Sequence, residues 1–162
     1  MSYASECPDA PVFSASLRTP PGMLYIRESG GSIIYIGFEK DDGPETVTPL
    51  IKRTEDQLNE YFAGKRKEFG IPLRSCGSDL QKSVWDALTK IPYGETRTYK
   101  QIASDAGRPE AIRAVASMIG KNPISVIVPC HRVIGSDGKM RGYAGGIPFK
   151  EYLLRLENGN SG

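Results

Sequence analysis

The sequence is poor in the residues that bind metal ions and form disulfide bonds. Its 162 residues include one histidine, His131, and three widely spaced cysteines, Cys7, Cys76 and Cys130. Because there is no CxxC pair and one histidine cannot build a His-rich site, we expect no bound metal ion. A sparse and odd set of cysteines also argues against a disulfide framework and is typical of a reducing compartment.

Long apolar stretches are missing as well. No hydrophobic run approaches the ~20 residues that a membrane-spanning helix needs. The first residues, MSYASECPDAPVF, lack the basic and apolar regions of a signal peptide. We therefore expect no membrane partner and a location in the cytoplasm, or in the nucleus if the source is eukaryotic. With 39% hydrophobic residues, the chain has enough apolar side chains to bury a core.

The two halves of the chain differ in charge, although the net charge is only +2. Residues 1–77 carry 9 Lys and Arg against 11 Asp and Glu, whereas residues 78–162 carry 12 against 8. The segment GIPLRSCGS, which contains Pro and Gly, lies where the balance changes. We place a domain boundary there, and we expect the basic second half to be the better partner for a polyanion.

The first half has the pattern of a small α/β domain. Alternating β-branched and aromatic residues predict strands over residues 12–17, 23–28 and 32–38. Gly30-Gly31, between the last two strands, is typical of a tight antiparallel hairpin. Thr54 as an N-cap and Gly64 as a stop predict one helix between them. We expect this domain to support the second one.

The second half has a mostly helical pattern. Two Ser/Thr-x-x-Gln capping boxes, at 78–81 and 98–101, predict the starts of two helices, the second over residues 99–106. Gly107 turns the chain into a third helix that begins near Pro109. Two short helices joined by a tight turn match a helix-turn-helix. This pattern leaves two interpretations open, a DNA-binding module and an ordinary helical hairpin.

The chain after the third helix is predicted to form three short pieces. Residues 125–128 are rich in β-branched side chains and predict a buried strand or extended segment. Residues 135–146 contain two glycine clusters and predict a loop or wing. Residues 148–157 predict a closing helix with one apolar face.

Cys130 and His131 stand next to each other where an apolar run ends at Pro129. The thiolate is the reactive form of cysteine, and a nearby histidine can take the thiol proton. Adjacent residues of an extended segment point to opposite sides, so the proton would need a turn or a bridging water. An orienting carboxylate would come from Glu151 or Glu157. The alternative is an inert buried cysteine beside an exposed histidine.

The longer string VPCHRVIG resembles the active-site signature of the O6-alkylguanine-DNA alkyltransferases. The strings GETRTYKQIA, RPEAIRAVASMIGKNP, GYAGG and KEYLLRLE also resemble this family, in the family's order and spacing. The resemblance extends over about residues 78–158. Over residues 1–77, only the order of hairpin, helix and linker is similar.

The resemblance implies both a fold and a reaction. The fold would be an α/β N-terminal domain of ribonuclease H-like type, followed by a mostly α, winged-helix-like C-terminal domain with a helix-turn-helix. The reaction would be direct-reversal DNA repair, in which a cysteine takes the alkyl group from O6 of guanine and the protein is spent. It uses no cofactor. The implied partner is duplex DNA with O6-alkylguanine, bound in the minor groove by a monomer that flips the target base.

The resemblance also implies the roles of four catalytic residues. Cys130 would be the alkyl acceptor, and His131 would be its water-mediated base. Glu157, rather than Glu151, would orient that histidine. Tyr99 would donate to the guanine ring, where negative charge develops as the base leaves. Without the motif, Tyr99 would equally suit a helix-start aromatic that packs on the core.

Further residues are implied to bind DNA or the flipped base. Arg113 would fill the space that the base leaves in the stack, and the small Ala114 beside it suits a helix that enters a groove. Asn122 would tie the segment after this helix to the active-site loop. Val133 would offer its backbone carbonyl to the exocyclic amine of guanine, and Tyr143 would line the base pocket. Otherwise, these are ordinary helix, helix-end and loop residues.

The sequence departs from some family members at two points. Ala144 stands where some members have Ser, so only its backbone N–H is available to guanine O6. The first half lacks the histidines of the zinc site that some members carry. Two other hypotheses stay open. A non-catalytic alkyltransferase-like protein would bind the damage without chemistry, although such proteins lack a cysteine at this position. A winged-helix regulator would have no need of Cys130.

Overall fold

The computed structural model describes residue 8 and residues 10–139 and 142–159. Within this part of the chain there are five strands and five α-helices. Their order is β1 (Val12–Thr19), β2 (Gly22–Ser29), β3 (Ser32–Gly37), α1 (Pro49–Phe62), α2 (Asp79–Thr89), β4 (Arg97–Thr98), α3 (Tyr99–Asp105), α4 (Ile112–Gly120), β5 (Val133–Ile134) and α5 (Ile147–Glu157). A 3-10 turn, Cys130–Arg132, precedes β5.

The first three strands form a small antiparallel sheet in the order β1-β2-β3. The hairpin expected at Gly30-Gly31 is confirmed, because Ser29 pairs with Ser32 across these two residues. Both glycines have positive φ, 60° and 84°. Positive φ at both central positions is what a two-residue turn between twisted strands requires, and glycine adopts it without strain.

Helix α1 begins earlier than the sequence predicts. Its N-cap is Thr48, whose hydroxyl accepts a hydrogen bond from the Ile51 N–H at 3.1 Å, and Pro49 occupies the first turn. Thr54 was the expected cap, and that expectation is wrong. Thr54 is fully buried inside the helix and donates its hydroxyl proton to the Leu50 carbonyl at 2.8 Å. A Thr followed by Pro is the better start signal here, because proline lacks the N–H that a first turn leaves unpaired.

The two capping boxes of the second half are present, at Ser78–Gln81 before α2 and Thr98–Gln101 before α3. Helix α4 starts at Ile112 instead of near Pro109, and its cap residue makes no side-chain hydrogen bond. The short strands β4 and β5 pair in parallel. This pairing was not predicted, since two residues carry no periodicity that a sequence pattern can detect.

Residues 124–128 form hydrogen-bonded turns, which corrects the predicted strand. The Val128 N–H donates to the Ile124 carbonyl at 3.0 Å, and the Cys130 N–H donates to the Val128 carbonyl at 2.8 Å. Pro129 has φ −83° and ψ 65°, the geometry of an inverse γ-turn. Val126 has φ 71°, in the left-handed region that β-branched residues rarely adopt. Val126 is nonetheless fully buried, so packing holds this strained conformation.

The free edge of β3 binds the segment that leads to the turns. The Ile36 N–H donates to the Pro123 carbonyl at 2.9 Å, and the Ser125 N–H donates to the Ile36 carbonyl at 2.7 Å. The same edge pairs with Leu73 through Ile33. The sheet therefore anchors the chain just before the reactive pair, and β3 is one structural link between the two halves.

A single buried cluster of apolar side chains runs through both halves. It includes Leu24, Ile26 and Ile36 of the sheet, Leu58 and Tyr61 of α1, Val84 and Leu88 of α2, Val115 and Ile119 of α4, and Leu153 and Leu156 of α5. Among the residues that are described, no helix is both long and apolar enough to cross a bilayer.

The sparse and odd set of cysteines argues against a disulfide framework, but Cys76 does form one disulfide bond. Cys76 is nearly fully buried and disulfide-bonded, whereas Cys130 is free. Cys7 lies outside the described residues. The count and spacing of cysteines do not report the Cα separation that permits a disulfide, so the sequence could not reveal this bond.

The packing of Gly145 gives a test of the fold. A Cβ added at Gly145 would lie 2.5 Å from the ring of Phe38. That ring is held by Tyr143 and Phe149, at centroid distances of 5.6 and 5.0 Å. We expect Gly145→Ala to lower the free energy of unfolding by about 1–3 kcal/mol, measured by urea denaturation. Gly120→Ala is the control, because its Cβ would meet nothing within 4 Å. Equal stabilities of the two variants would contradict this packing.

Candidate active site

The Cys130 side chain lines a small cavity of about 40 Å³. Cys130 is 8% exposed, and the γ-turn at Pro129 followed by the 3-10 turn aims it inward. The other lining residues come from α3, α4, the turns and the loop before α5. They include Tyr99, Ile119, Asn122, Ser125, Tyr143 and Ala144. The structure therefore brings five of the residues singled out from the sequence to one cavity.

A larger groove of about 520 Å³ adjoins this cavity. The two share a wall made by Tyr99, Tyr143 and Ala144, and the groove adds Ile112 and Arg113 from the start of α4. Arg113 is exposed, and Ile112 is an exposed apolar residue at 38%. The geometry thus gives the thiol an approach from the surface along α4.

His131 is fully buried and is held by Glu157. The Nε2 atom of His131 lies 2.7 Å from Oε2 of Glu157, and the carboxylate is itself almost completely shielded from solvent. Nδ1 of His131 has no hydrogen-bond partner among the described residues. An ionised carboxylate accepts hydrogen bonds, so this contact places the ring proton on Nε2 and leaves the lone pair on Nδ1.

Glu157, not Glu151, is the carboxylate at this site. Glu151 lies on the outer side of α5 and pairs with Arg155 at 3.8 Å, where both side chains are exposed to solvent. Glu157 occupies the last turn of α5 and faces the 3-10 turn. Of the two glutamates that the residue pattern left open, Glu157 is the one that lies beside His131.

Arg132 gives Glu157 its strongest support. Its Nε donates to Oε1 at 2.7 Å and its Nη2 donates to Oε2 at 3.0 Å, in a two-pronged contact. Nη1 of Arg132 donates to the Ile91 carbonyl at 2.6 Å. Arg132 is buried, and these three hydrogen bonds all lie within the protein. Paired hydrogen bonds of this kind are the strongest that a carboxylate receives.

Two further donors to Glu157 were not found from the sequence. The hydroxyl of Tyr61, on α1, donates to Oε2 at 2.5 Å, and the Gly94 N–H lies 3.5 Å from Oε1. Burial alone would raise the pKa of Glu157. The hydrogen bonds from His131 and Arg132, together with the positive charge of Arg132, outweigh burial and lower that pKa to about 2. The carboxylate therefore stays ionised at neutral pH.

The pKa values of His131 and Cys130 move in opposite directions. Burial lowers the pKa of His131 and outweighs the opposing effect of Glu157, so the imidazole is neutral. Burial also raises the pKa of the Cys130 thiol, although Asn122 and Lys150 oppose the rise. In the free protein the Cys130 thiol is protonated and the His131 imidazole beside it is neutral. The reactive thiolate therefore forms only when the imidazole takes the thiol proton.

Lys150 is a buried lysine that sequence reasoning missed. Its Nζ donates to the Val133 carbonyl at 2.7 Å and lies 6.0 Å from the centre of the Tyr99 ring. Burial lowers the pKa of Lys150, and a thiolate at Cys130 would oppose that change. A helix lysine is usually exposed, so no sequence signal marks this one. The Val133 carbonyl proposed for guanine thus already accepts one hydrogen bond and keeps a second lone pair.

Asn122 makes the tie that the resemblance implied. Its Nδ2 donates to the Val128 carbonyl at 2.8 Å, and its Oδ1 accepts from the Ile124 N–H at 3.1 Å. These bonds hold the turns of residues 124–128 against the end of α4. Ala114 differs from the other predicted residues, because it is exposed on α4 and lies outside the linings of the cavity and the groove.

Comparison with known proteins gives matches over most of the chain. Residues 12–75 match the family model described as 6-O-methylguanine DNA methyltransferase, ribonuclease-like domain, and residues 79–159 match the model of its DNA binding domain. A methylated-DNA–protein-cysteine methyltransferase of Methanosarcina acetivorans is 42% identical over 153 residues, which cover 90% of this chain and 98% of that protein.

Two further similarities extend this result. The protein of the same name from Methanosarcina barkeri is 59% identical over 104 residues, 64% of this chain and 66% of the relative. The crystal structure of Mycobacterium tuberculosis OGT in complex with DNA superimposes with a TM-score of 0.84 at 42% identity. That match covers 91% of this chain and 93% of the solved one.

The buried carboxylate predicts how stability depends on pH. The Glu157 pKa is lowered from 4.5 to about 2 on folding. The contribution of Glu157 to the free energy of unfolding is therefore complete above pH 4.5 and is lost as pH falls towards 2. The shift corresponds to about 3 kcal/mol. The neutral His131 adds a loss that begins below its ordinary pKa of 6.5, since protonation then favours the unfolded chain. Urea denaturation at a series of pH values measures both.

A pair of glutamine variants isolates the Glu157 contribution. Glu157→Gln leaves Arg132 buried without a carboxylate and should cost about 3–5 kcal/mol at neutral pH. The loss of stability between pH 4.5 and 2 should also become smaller in that variant. Glu151→Gln, at an exposed site on the same helix, should match the wild type. Parallel profiles for Glu157→Gln and the wild type in that range would contradict the assignment.

Proposed function

The chain belongs to the 6-O-methylguanine DNA methyltransferase family, and on this premise we propose that Cys130 is the residue that accepts the alkyl group. The protein acts in direct-reversal DNA repair as a methylated-DNA–protein-cysteine methyltransferase, which is spent by a single transfer. The observation that supports this choice of residue is the buried His131–Glu157 contact of 2.7 Å directly beside the only free cysteine that is described.

In the proposed reaction, Sγ of Cys130 forms a bond to the alkyl carbon while the bond from that carbon to guanine O6 breaks. The electron pair of the broken bond stays on guanine. The thiol proton passes through a water to Nδ1 of His131, whose other nitrogen is held by Glu157. Guanine takes up one proton as His131 gives its proton up, so charge and protons balance. No cofactor enters these steps.

The environment of the thiol suits a reaction that should start only when substrate is present. The cavity raises the Cys130 pKa by burial, so little thiolate exists in the free protein. A thiol that stays neutral resists oxidation and unwanted alkylation. When the base enters, the charge that develops on sulfur meets Lys150 and Asn122, both of which favour the thiolate.

We propose that the flipped guanine lies in the cavity between Tyr99, Tyr143 and the loop at Ala144. Tyr99 donates to the ring, where negative charge accumulates as the alkyl group leaves. The Val133 carbonyl accepts from the exocyclic amine with the lone pair that Lys150 leaves unused. The Ala144 N–H reaches O6 in place of a hydroxyl. The position of Tyr99, Tyr143 and Ala144 around Cys130 supports the assignment.

DNA is the partner of this protein, and a relative has been solved in complex with DNA. We further propose that α3 and α4 form a helix-turn-helix in a winged-helix-like domain of residues 78–162, and that residues 1–77 form a ribonuclease H-like supporting domain. Matches that end at 75 and begin again at 79 support this division. A lone thiol acceptor needs no second copy, which is consistent with a monomer.

Helix α4 is proposed to enter the minor groove. Its exposed start carries Arg113 between Ile112 and Ala114, so the one long side chain stands among short or apolar ones. Small residues allow close approach to the floor of a narrow groove, and apolar ones suit the base edges. Arg113 would take the place of the extruded base, and the groove beside it leads to Cys130.

The alternative of a non-catalytic damage-binding protein is not favoured. Two relatives carry the name of the methyltransferase. One is 42% identical over 90% of this chain, and the other is 59% identical over 64% of it. The chain also retains Cys130 together with the buried His131 and Glu157 that ionising a thiol requires.

Mass spectrometry tests the acceptor directly. After incubation with a duplex containing O6-methylguanine, the peptide with Cys130 should gain one methyl group per protein molecule. Cys130→Ala should abolish transfer and leave duplex binding largely intact, because phosphate contacts supply most of the affinity. A methyl group on Cys76, or transfer by Cys130→Ala, would refute the assignment. Unmodified wild type that still binds the duplex would support the non-catalytic alternative.

The neutral state of His131 predicts the pH dependence of transfer. Burial lowers the His131 pKa below its ordinary value of 6.5, so the base stays available at neutral pH. The single-turnover rate should hold as pH decreases to 6.5 and fall only in more acid solution. Circular dichroism at each pH separates this fall from unfolding. A rate that stays flat while the protein remains folded, or one already halved above pH 6.5, would argue against His131 as the base.

A further inference from the structure

We propose that Tyr61, on α1 in the first half of the chain, is a positioning residue that controls how readily His131 takes the thiol proton. It acts through Glu157, to which its hydroxyl donates a hydrogen bond at 2.5 Å. This inference rests on the proposed function, in which His131 is the base. It assigns the first half a part in the chemistry, beyond support of the second.

The placement of Tyr61 is well defined. Tyr61 is fully buried, and 96 residues separate it in sequence from the glutamate that it contacts. Its ring packs edge-on against Phe62 at 5.3 Å and Tyr93 at 6.2 Å, and lies 5.5 Å from Phe69. Three aromatic neighbours leave the ring little freedom. The hydroxyl is therefore aimed at Glu157 by packing from the α1 side.

Tyr61 competes with His131 for one oxygen atom. Oε2 of Glu157 accepts from Tyr61, from Nε2 of His131 at 2.7 Å and from Nη2 of Arg132 at 3.0 Å. Each donor withdraws part of the charge that the others feel. A carboxylate with fewer donors on Oε2 holds the histidine proton more tightly and stabilises the imidazolium more. Tyr61 thus keeps His131 from becoming too basic.

Other charged or titratable groups also lie around His131 and Glu157, and they stay in place when the Tyr61 hydroxyl is removed. They are Tyr93 in the loop after α2, Cys130 and Arg132 in the 3-10 turn, Tyr143 in the loop before α5 and Lys150 on α5. Arg132 and Lys150 oppose protonation of His131 by their charge. Tyr61 differs from Arg132 and Lys150 because it is a neutral donor, so removing its hydroxyl changes no formal charge.

The test uses Tyr61→Phe, which removes the hydroxyl and keeps the ring. Because His131 is the only histidine, its ring resonances in an NMR spectrum are unambiguous. The Nε2–H proton of the variant should move downfield at neutral pH as its bond to Glu157 strengthens. The pH at which the transfer rate is half-maximal should rise by about 0.5–1 unit, the equivalent of one hydrogen bond.

Two control variants separate this effect from a loss of packing. Tyr25→Phe makes the same chemical change on β2, away from the site, and should leave both measurements unchanged. Ile51→Val trims a fully buried side chain at the N-terminal end of α1, away from the Tyr61 ring, so it should lower stability and leave the midpoint of the rate profile in place. A downfield shift confined to Tyr61→Phe supports the proposal.

The outcomes distinguish this inference from the proposed function. The role of Tyr61 would be overturned if Tyr61→Phe had the same Nε2–H chemical shift and the same rate midpoint as the wild type, even with normal alkyl transfer. A wild type that takes no methyl group on Cys130 would overturn the proposed function, whereas the NMR comparison needs no DNA and would still report the coupling of Tyr61 to His131.

Discussion

The structure around the reactive cysteine depends on one buried carboxylate. Removing an ionised glutamate from water costs several kcal/mol, and only well-placed donors offset this cost. Glu157 receives them from three separate segments: α1 through Tyr61, the loop after α2 through Gly94, and the 3-10 turn through His131 and Arg132. These segments must therefore meet at the end of α5. Meeting that requirement also sets the position of Cys130, which begins the same 3-10 turn.

The same arrangement separates the protonation states that the reaction needs. Glu157 is ionised because its donors outweigh its burial, and its pKa is about 2. At His131 and Cys130 the opposing interactions are weaker than burial, so both groups stay neutral. One site thus holds a carboxylate anion, an unprotonated imidazole and an undissociated thiol. Pairs of groups whose pKa values are driven apart are what acid–base chemistry at neutral pH requires.

Much of the local structure and part of the site could be predicted from the sequence. The glycine pair and the capping boxes act over two to four residues, and the structure has them at those positions. Features set by distant packing were missed. Residues 124–128 have strand-like side chains but form turns, because β3 pairs with the segment at one point only. The buried Lys150 and the contact of Tyr61 depend on how α1 and α5 pack, which no local pattern records.

Two of the connections between the halves differ in chemical kind. The pairing of Ile36 with Ile124 uses main-chain atoms alone, so any side chains that fit the space permit it. The bond from Tyr61 to Glu157 needs a particular side chain in each half. The main-chain connection can therefore accept different side chains on both sides, whereas the hydrogen bond is lost if either the tyrosine or the glutamate is replaced. A chimaera that joins the first half of one relative to the second half of another would keep the main-chain pairing. It would keep the hydrogen bond that acts on the histidine only if one parent supplied the tyrosine and the other the glutamate.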